Sequence, residues 1–264
     1  MGRDRFRDLR IHNIPSVRRV FLDLPHLPRA WHGLRILQIS DVHAGPYSPV
    51  RRGRKIRDLS NRLGADLIVF TGDQLDRRPT DANRFVSSFT GLEAPLGVWG
   101  ILGNHDHSTD PELAISALQR AGVRPLVNSS HRFERDGQTL ALIGVDDLDS
   151  TLDGADFSVV AKHRDAFKLC LCHQPNGWRQ TWAAGAHLTL AGHTHGGQIA
   201  LTTQNLNVAR FTTRYIAGPY RRDDAFLYVS RGIGVGAVPV RFGAPPEIDL
   251  ITLRVPSRIG RIAA

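Results

Sequence analysis

Cysteine is scarce in this 264-residue chain, which has only Cys170 and Cys172. That excludes a disulfide scaffold and any cysteine-built zinc module. Long apolar runs are missing too. Nothing approaches the ~18 consecutive apolar residues of a membrane span. The first twenty residues are basic but lack the apolar core of a secretory signal. A soluble chain with no signal peptide and no transmembrane segment is therefore expected. Low-complexity stretches and internal repeats are also absent. Apolar residues make up 41% and charged residues 22%, a globular composition that excludes wholesale disorder.

The charge is one-sided. Residues 1–62 hold 14 Lys and Arg against 5 Asp and Glu, whereas the remaining residues hold 20 of each. The net charge of +9 thus belongs to the first quarter, through Arg3, Arg5, Arg7, Arg10, Arg18 and Arg19 and then Arg51, Arg52, Arg54, Lys55 and Arg57. Such a quarter is either a solvated face or a surface drawn to anionic lipid headgroups or a phosphate-bearing substrate. Aromatic residues do not interleave with these charges as stacking platforms would, so no nucleic-acid partner is expected.

Apolar runs at 34–39, 65–70 and 98–102 predict buried strands, each ending in polar residues. Between them, 50–63 and 80–91 have helical spacing, and Asp110-Pro111 opens a helix through Ala121 that Gly122 closes. The second half predicts mostly strands: a hairpin of 131–135 and 138–144 around Asp136-Gly137, then 167–172, 187–191, 226–230 and 247–254. Alternating strands and helices followed by strands point to two sheets packed together with helices outside. We expect residues 1–17 to form a basic arm or the stump of an upstream segment, and 18–264 a single domain.

The strand ends carry metal-capable side chains. Asp41-x-His43 follows the first strand, Gly72-Asp73-x-x-Asp76 the second and Gly103-Asn104-His105-Asp106 the third; His173 and Gly192-His193-x-His195 end two later ones. Loops at the C-terminal ends of strands are where α/β sheets gather reactive groups. Each element alone is a common chance spacing. Together they offer two carboxylates, one amide oxygen and four imidazoles, a set suited to Mn, Fe, Zn or Co rather than Ca or Mg. Seven donors exceed one open tetrahedral site and fit two cations sharing a carboxylate.

These blocks, over residues 34–197, resemble the signature of calcineurin-like metallophosphoesterases. The stretches Ala191–Gln198 and Tyr228–Gly234, with Pro239-x-Arg241 and Pro246-Glu247, are similar to its bacterial membrane-associated phosphodiesterase branch. The resemblance implies an α/β (α+β) fold of two face-to-face mixed β-sheets flanked by helices, a four-layer αββα sandwich. It also implies two divalent transition metal ions (Mn, Fe or Zn), with Asp41, His43 and His195 on the first, Asn104, His173 and His193 on the second, and Asp73 bridging. A metal-bridging hydroxide would attack phosphorus, with His105 at the leaving oxygen, Asp106 orienting its ring and Asp76 bracing the loop. The implied substrate is a phosphate ester, in the leading case a lipid-linked nucleotide-sugar pyrophosphate such as UDP-diacylglucosamine. The implied setting is bacterial, cytoplasmic or peripheral to the membrane. A non-catalytic scaffold of this fold would have lost donors, and all are present. A nuclease would need a basic groove around the metals, which the neutral balance of 63–264 does not offer.

Other residues are weighed singly. Arg231 and Arg241 are candidates for gripping substrate phosphate; His107 is either a substrate contact or an exposed loop residue. Asp146, Asp147 and Asp149 read as solvated turn residues, substrate hydroxyl contacts or a third metal site. Gly196, Gly197 and Gln198 are expected to bring backbone close to the metals. The two thiols, two apart on one strand, read as buried and inert.

Overall fold

The computed structural model describes residues 14–202, 206–236 and 239–256. Arg3, Arg5, Arg7 and Arg10 lie outside them. The strands are β1 (Ser16–Asp23), β2 (Arg35–Ile39), β3 (Leu67–Thr71), β4 (Val98–Ile101), β5 (Arg124–Pro125), β6 (Ser129–Arg135), β7 (Gln138–Gly144), β8 (Phe167–Leu171) and β9 (Leu188–Ala191). They continue with the hairpin β10 (Ala200–Thr202) and β11 (Leu206–Asn207), then β12 (Gly218–Arg222), β13 (Ala225–Val229) and β14 (Glu247–Arg254). The helices are α1 (Val50–Arg62), α2 (Asp81–Phe89), α3 (Asn104–Thr109), α4 (Pro111–Arg120), α5 (Ser158–Ala161) and α6 (Trp178–Ala183).

Two mixed six-stranded sheets result, in the orders β1-β14-β2-β3-β4-β5 and β12-β13-β9-β8-β7-β6. In the first, β2, β3 and β4 run parallel; in the second, β7, β8, β9 and β13 do. The strands read as unbroken apolar runs because both faces are covered. Ile36, Leu67, Val69, Ile101, Leu142, Leu169 and Leu190 meet between the sheets. Their neighbours Leu37, Ile68 and Phe70 point outward to Ile56 of α1, Phe85 and Phe89 of α2 and Leu118 of α4. On the other outer face, Ile143, Cys170 and Cys172 pack with Val159 and Val160 of α5. Both thiols are buried there, and burial pushes Cys172 up to about 12, as expected of inert core groups.

The predicted helices and strands appear within a few residues of their expected bounds. Asp110 caps α4 by accepting from Leu113 N at 3.0 Å. β1 begins at Ser16, inside the segment read as an arm, and pairs in parallel with β14 from Ser16↔Glu247 to Asp23↔Arg254. Its apolar pattern is masked in the sequence because Arg18, on the strand face of Val20 and Leu22, lies against Glu247 and the Tyr228 ring, while Arg19 on the other face is exposed.

Candidate metal centre

The polar strand ends converge. Asp41 and His43 follow β2, Asp73 follows β3, and Asn104 and His105 open α3 beyond β4; His173 follows β8, and His193 and His195 follow β9. All lie past the C-terminal ends of parallel strands, three in one sheet and two in the other, so the cluster spans the line where the sheets meet. Asp41, His43, Asp73 and His195 each bring one donor atom within 4.8 Å of the others, and so do Asp73, His173 and His193. Asp73 belongs to both groups. Its Oδ2 lies 3.5 Å from His43 Nε2 and 3.3 Å from His173 Nε2. Asn104 Oδ1 lies 2.9 Å from His193 Nδ1 and 3.2 Å from His173 Nε2. Nε2 of His43 and Nε2 of His195 face each other at 3.0 Å.

The backbone is bent to achieve this. Nine non-glycine residues among those described have positive φ, and five are Asp41, His43, Asp73, His193 and His195, with φ between 44 and 70°. Such outliers cluster at functional sites because ordinary folding gives no reason to keep them. Space is kept as well: a Cβ on Gly72 would strike the His173 ring, and one on Gly192 would strike Ser40 and Asp41. Gly196, expected to serve this purpose, instead passes the side chain of Arg231.

Electrostatics favour cations here. Burial alone would raise the Asp73 carboxyl, yet the imidazoles of His173, His43 and His105 hold it well below the usual range. Burial would lower His173, but Asp73 holds it well above its ordinary value. His43 is likewise raised, against its burial, by Asp76, Asp73 and Asp41. The carboxylates thus favour the protonated form of both rings, and a cation would compete with those protons. His173 Nδ1 meets Thr71 O at 2.7 Å and His43 Nδ1 faces Asp76 Oδ1 at 3.4 Å, so both rings turn Nε2 to the centre. His195 differs: Arg241 Nη2 lies 3.0 Å from its Nδ1. A guanidinium only donates, so a cation at Nε2 requires the ring proton to move and Arg241 to turn. With that one adjustment the donor set fits two cations.

Several expectations are corrected. Asp106 does not orient His105. Its buried carboxylate accepts from Leu75 N (2.8 Å), Gly103 N (3.0 Å) and Gln74 N (3.2 Å), and burial with the nearby Asp73 charge pushes it up to about 7. Asp76 is the residue beside His105: its carbonyl lies 2.8 Å from His105 Nδ1. Asp76, His43 and His105 also form a third group within 4.8 Å, which the sequence did not suggest. His107 is not exposed: its Nε2 lies 2.7 Å from Asp146 Oδ1, and Thr151 N–H meets its Nδ1 at 3.3 Å. Asp146 and Asp147 are buried rather than solvated. Gln174 Nε2 donates to Asp147 Oδ1 at 3.0 Å and Asp149 Oδ2 at 2.7 Å, and these aspartates form no metal-capable group among the described residues. Arg241 is buried and donates to carbonyls of Gly234, Arg231 and Ala244 at 2.7, 2.9 and 3.2 Å; Arg231 donates to Glu247 Oε2 at 3.0 Å. Neither lines the cavity.

That cavity, about 240 Å³, is lined by Asp73, Asn104, His105, His193 and His195. Gln198, Ala209, Thr212 and Gly236 complete its wall; of these the sequence reading named only Gln198, because nothing about the other residue types signals a site. That wall is hung firmly. Thr194 Oγ1 donates to Ile216 O at 2.6 Å, and Thr213 Oγ1 to Asn176 Oδ1 at 2.7 Å. Tyr215 is held edge-on by Trp178 and Tyr220, with ring centroids 5.2 Å apart in both pairs.

Known proteins resemble this chain in sequence and in fold. The uncharacterized metallophosphoesterase YkuE of Bacillus subtilis is 31% identical over 235 residues, covering 86% of this chain and 82% of its own. The UDP-2,3-diacylglucosamine pyrophosphatase LpxG of Chlamydia muridarum is 28% identical, covering 90% and 89%. Against vertebrate relatives the chain spans only 57% of their length. A dimetal phosphatase structure from Danio rerio shares the fold, with a TM-score of 0.51 and 11% identity over 78% of this chain and 90% of that one. The family description that matches residues 34–197 is calcineurin-like phosphoesterase. With its donors gathered at the strand ends of two stacked sheets, the chain belongs to that family.

Proposed function

We propose that the chain hydrolyses phosphate esters at a pair of divalent transition cations, one held by Asp41, His43, Asp73 and His195 and the other by Asp73, Asn104, His173 and His193. The observation that carries this reading is the single carboxylate oxygen, Asp73 Oδ2, within 3.5 Å of ring nitrogens from both groups. When bound, such cations supply charge neutralisation on phosphoryl oxygens and acidify water near neutral pH. Nitrogen and oxygen donors without thiolate favour Mn, Fe or Zn.

The chain's own groups do the rest. Asp41 accepts His193 N–H at 3.0 Å, tying the first-strand donors to those of the other sheet. His173 and His43 are turned by Thr71 O and Asp76, so neither ring must reorient when substrate arrives. His105, with Nδ1 on the Asp76 carbonyl, presents its other nitrogen to the cavity and gives a proton to the departing alkoxide. A lipid-linked pyrophosphate is the leading physiological substrate, supported by similarity to LpxG along nearly the whole chain. An anionic membrane surface is the corresponding partner, supported by the basic first 62 residues.

The purified chain is expected to carry about two transition metals, and its hydrolysis of a chromogenic phosphodiester to vanish with a chelator and return with Mn. Asp73→Asn should abolish both activity and metal content. Hydrolysis undiminished after complete metal removal would refute the proposal.

A further inference from the structure

We infer that two copies of this chain associate through the free edge of β1, paired antiparallel about a two-fold axis at Phe21. The contact uses none of the residues of the metal centre, so it stands or falls without the hydrolase reading.

β1 is the outermost strand of the first sheet, with β14 on one side and no strand on the other among the described residues. It runs for 8 residues in unbroken register with β14. At its two ends Ser16 N–H donates to Pro246 O at 3.1 Å, and Leu24 N–H to Arg254 O at 2.9 Å. Hydrogen-bonding direction alternates along a strand, so Ser16, Arg18, Val20, Leu22 and Leu24 turn their backbone groups to β14. Those of Val17, Arg19, Phe21 and Asp23 are then directed away from the sheet. Folded proteins ordinarily blunt such a row with a proline, a bulge or repelling charge. Here proline stands only outside the strand, at Pro15 and Pro25.

The side chains on this row are also uncovered. Arg19, Phe21 and Asp23 share the face opposite to that of Val20 and Leu22. All three are exposed, Phe21 by 56%. Arg254 of β14 lies with its Cζ 4.9 Å from the Phe21 ring centroid and donates through Nε to Asp23 Oδ1 at 2.9 Å. The strand therefore displays a cation, a ring and an anion in order, with the ring in the middle.

That order is complementary to itself when reversed. With the axis at Phe21, the two Phe21 residues stand opposite each other, and each Arg19 stands opposite Asp23 of the second copy. Outward-facing residues meet outward-facing residues, so each of these pairs exchanges both N–H···O bonds. Opposite charges and paired rings directly across a ladder are the stabilising cross-strand combinations. Symmetry supplies the Arg19–Asp23 pair twice. Other registers lose this match. An axis at Arg19 sets two guanidinium groups against each other. An axis at Val20 places Asp23 against Val17, and one at Leu22 places it against Phe21. In the favoured register Val17 falls opposite Pro25, whose missing N–H ends the ladder.

A strand contact of this length is small beside the ~1,600 Å² of a standard stable complex, so the dimer should form at ~100 μM chain and dissociate on dilution. Sedimentation velocity of the full chain reads this directly. Phe21→Asp sets two carboxylates face to face at the axis and should weaken association at least about tenfold. Cys170 and Cys172 are buried, so an introduced thiol reports the register even if Phe21→Asp folds poorly. Phe21→Cys chains should cross-link under mild oxidation, because opposed Cα atoms lie about 5.5 Å apart, within disulfide reach. Arg19→Cys chains alone should not, their thiols falling about 13 Å apart along the ladder. A mixture of Arg19→Cys and Asp23→Cys chains should cross-link. Removal of residues 1–13 should leave association unchanged. A chain still monomeric at ~100 μM, or cross-linking of Arg19→Cys as ready as that of Phe21→Cys, would overturn the inference. Loss of the dimer with residues 1–13 would do the same, by giving the contact to that segment instead of the edge.

Discussion

Asp106 and Asp76 have exchanged the duties their positions suggested. Asp106 stands beside His105 in sequence, but on a helix neighbouring residues point about 100° apart. Its carboxylate therefore turns back to the N–H groups of Gln74, Leu75 and Gly103, fastening the loop after β3 to the start of α3. Asp106→Asn replaces one acceptor oxygen by an NH₂ that confronts those donors. Each N–H left unsatisfied costs about 1–3 kcal/mol, so a clear drop in melting temperature is expected with activity falling in proportion to folded protein. His105→Ala should do the reverse, losing about 10²–10⁴ in kcat with metal content and melting temperature near normal. Metal loss from His105→Ala as great as from Asp73→Asn would make His105 a ligand. The residues that converge at the centre stood out in the sequence because Asp-x-His, Asn-His and His-x-His are dense in metal-binding atoms. Which oxygen faces which ring was not, since that depends on side-chain direction.

At the level of elements, glycines decide how near the strand ends come. Gly72 has φ +96°, and a Cβ there would enter the His173 ring. Gly122, just past α4, has φ +82° with nothing within 4 Å of its would-be Cβ. Gly122→Ala should therefore cost only the backbone strain, about 1–2 kcal/mol. Gly72→Ala should cost more and also displace His173, so metal content per chain falls for this variant alone. Metal analysis with thermal melts of both variants checks this; full metal retention in Gly72→Ala would refute the packing argument. The buried strands and longer helices were readable because hydrophobic period and caps agree there, as at Asp110 and Pro111. α3 escaped notice because Asn-His-Asp-His-Ser-Thr has no apolar period, its side chains being spent on the centre and on Asp146. The wall around Ala209 and Thr212 escaped because plain residues become a cavity lining only through the contacts of Thr194, Thr213 and Tyr215.

Over the whole molecule, four of the basic residues precede the first described strand, which begins at Ser16. The strand from there onward pairs with β14 and belongs to the first sheet. Removal of residues 1–17 would cut Ser16 and Val17 from that pairing, whereas removal of 1–13 takes away Arg3, Arg5, Arg7 and Arg10 and leaves β1 whole. At about 1 kcal/mol per basic residue near an anionic surface, the shortened chain should bind phosphatidylglycerol vesicles at least about tenfold more weakly at low salt. Its turnover of a small ester should be unchanged. Sedimentation with vesicles measures this, and undiminished binding would leave the segment without a membrane role.

The donors come from both sheets: Asp41, His43, Asp73 and Asn104 from one, and His173, His193 and His195 from the other. Ions seated there would act as a keystone between two halves of an arch. Filling the centre and docking the halves become one equilibrium, so resistance to unfolding rises with the logarithm of free ion concentration. A cell starved of metal would then hold this protein in a less stable form as well as an idle one.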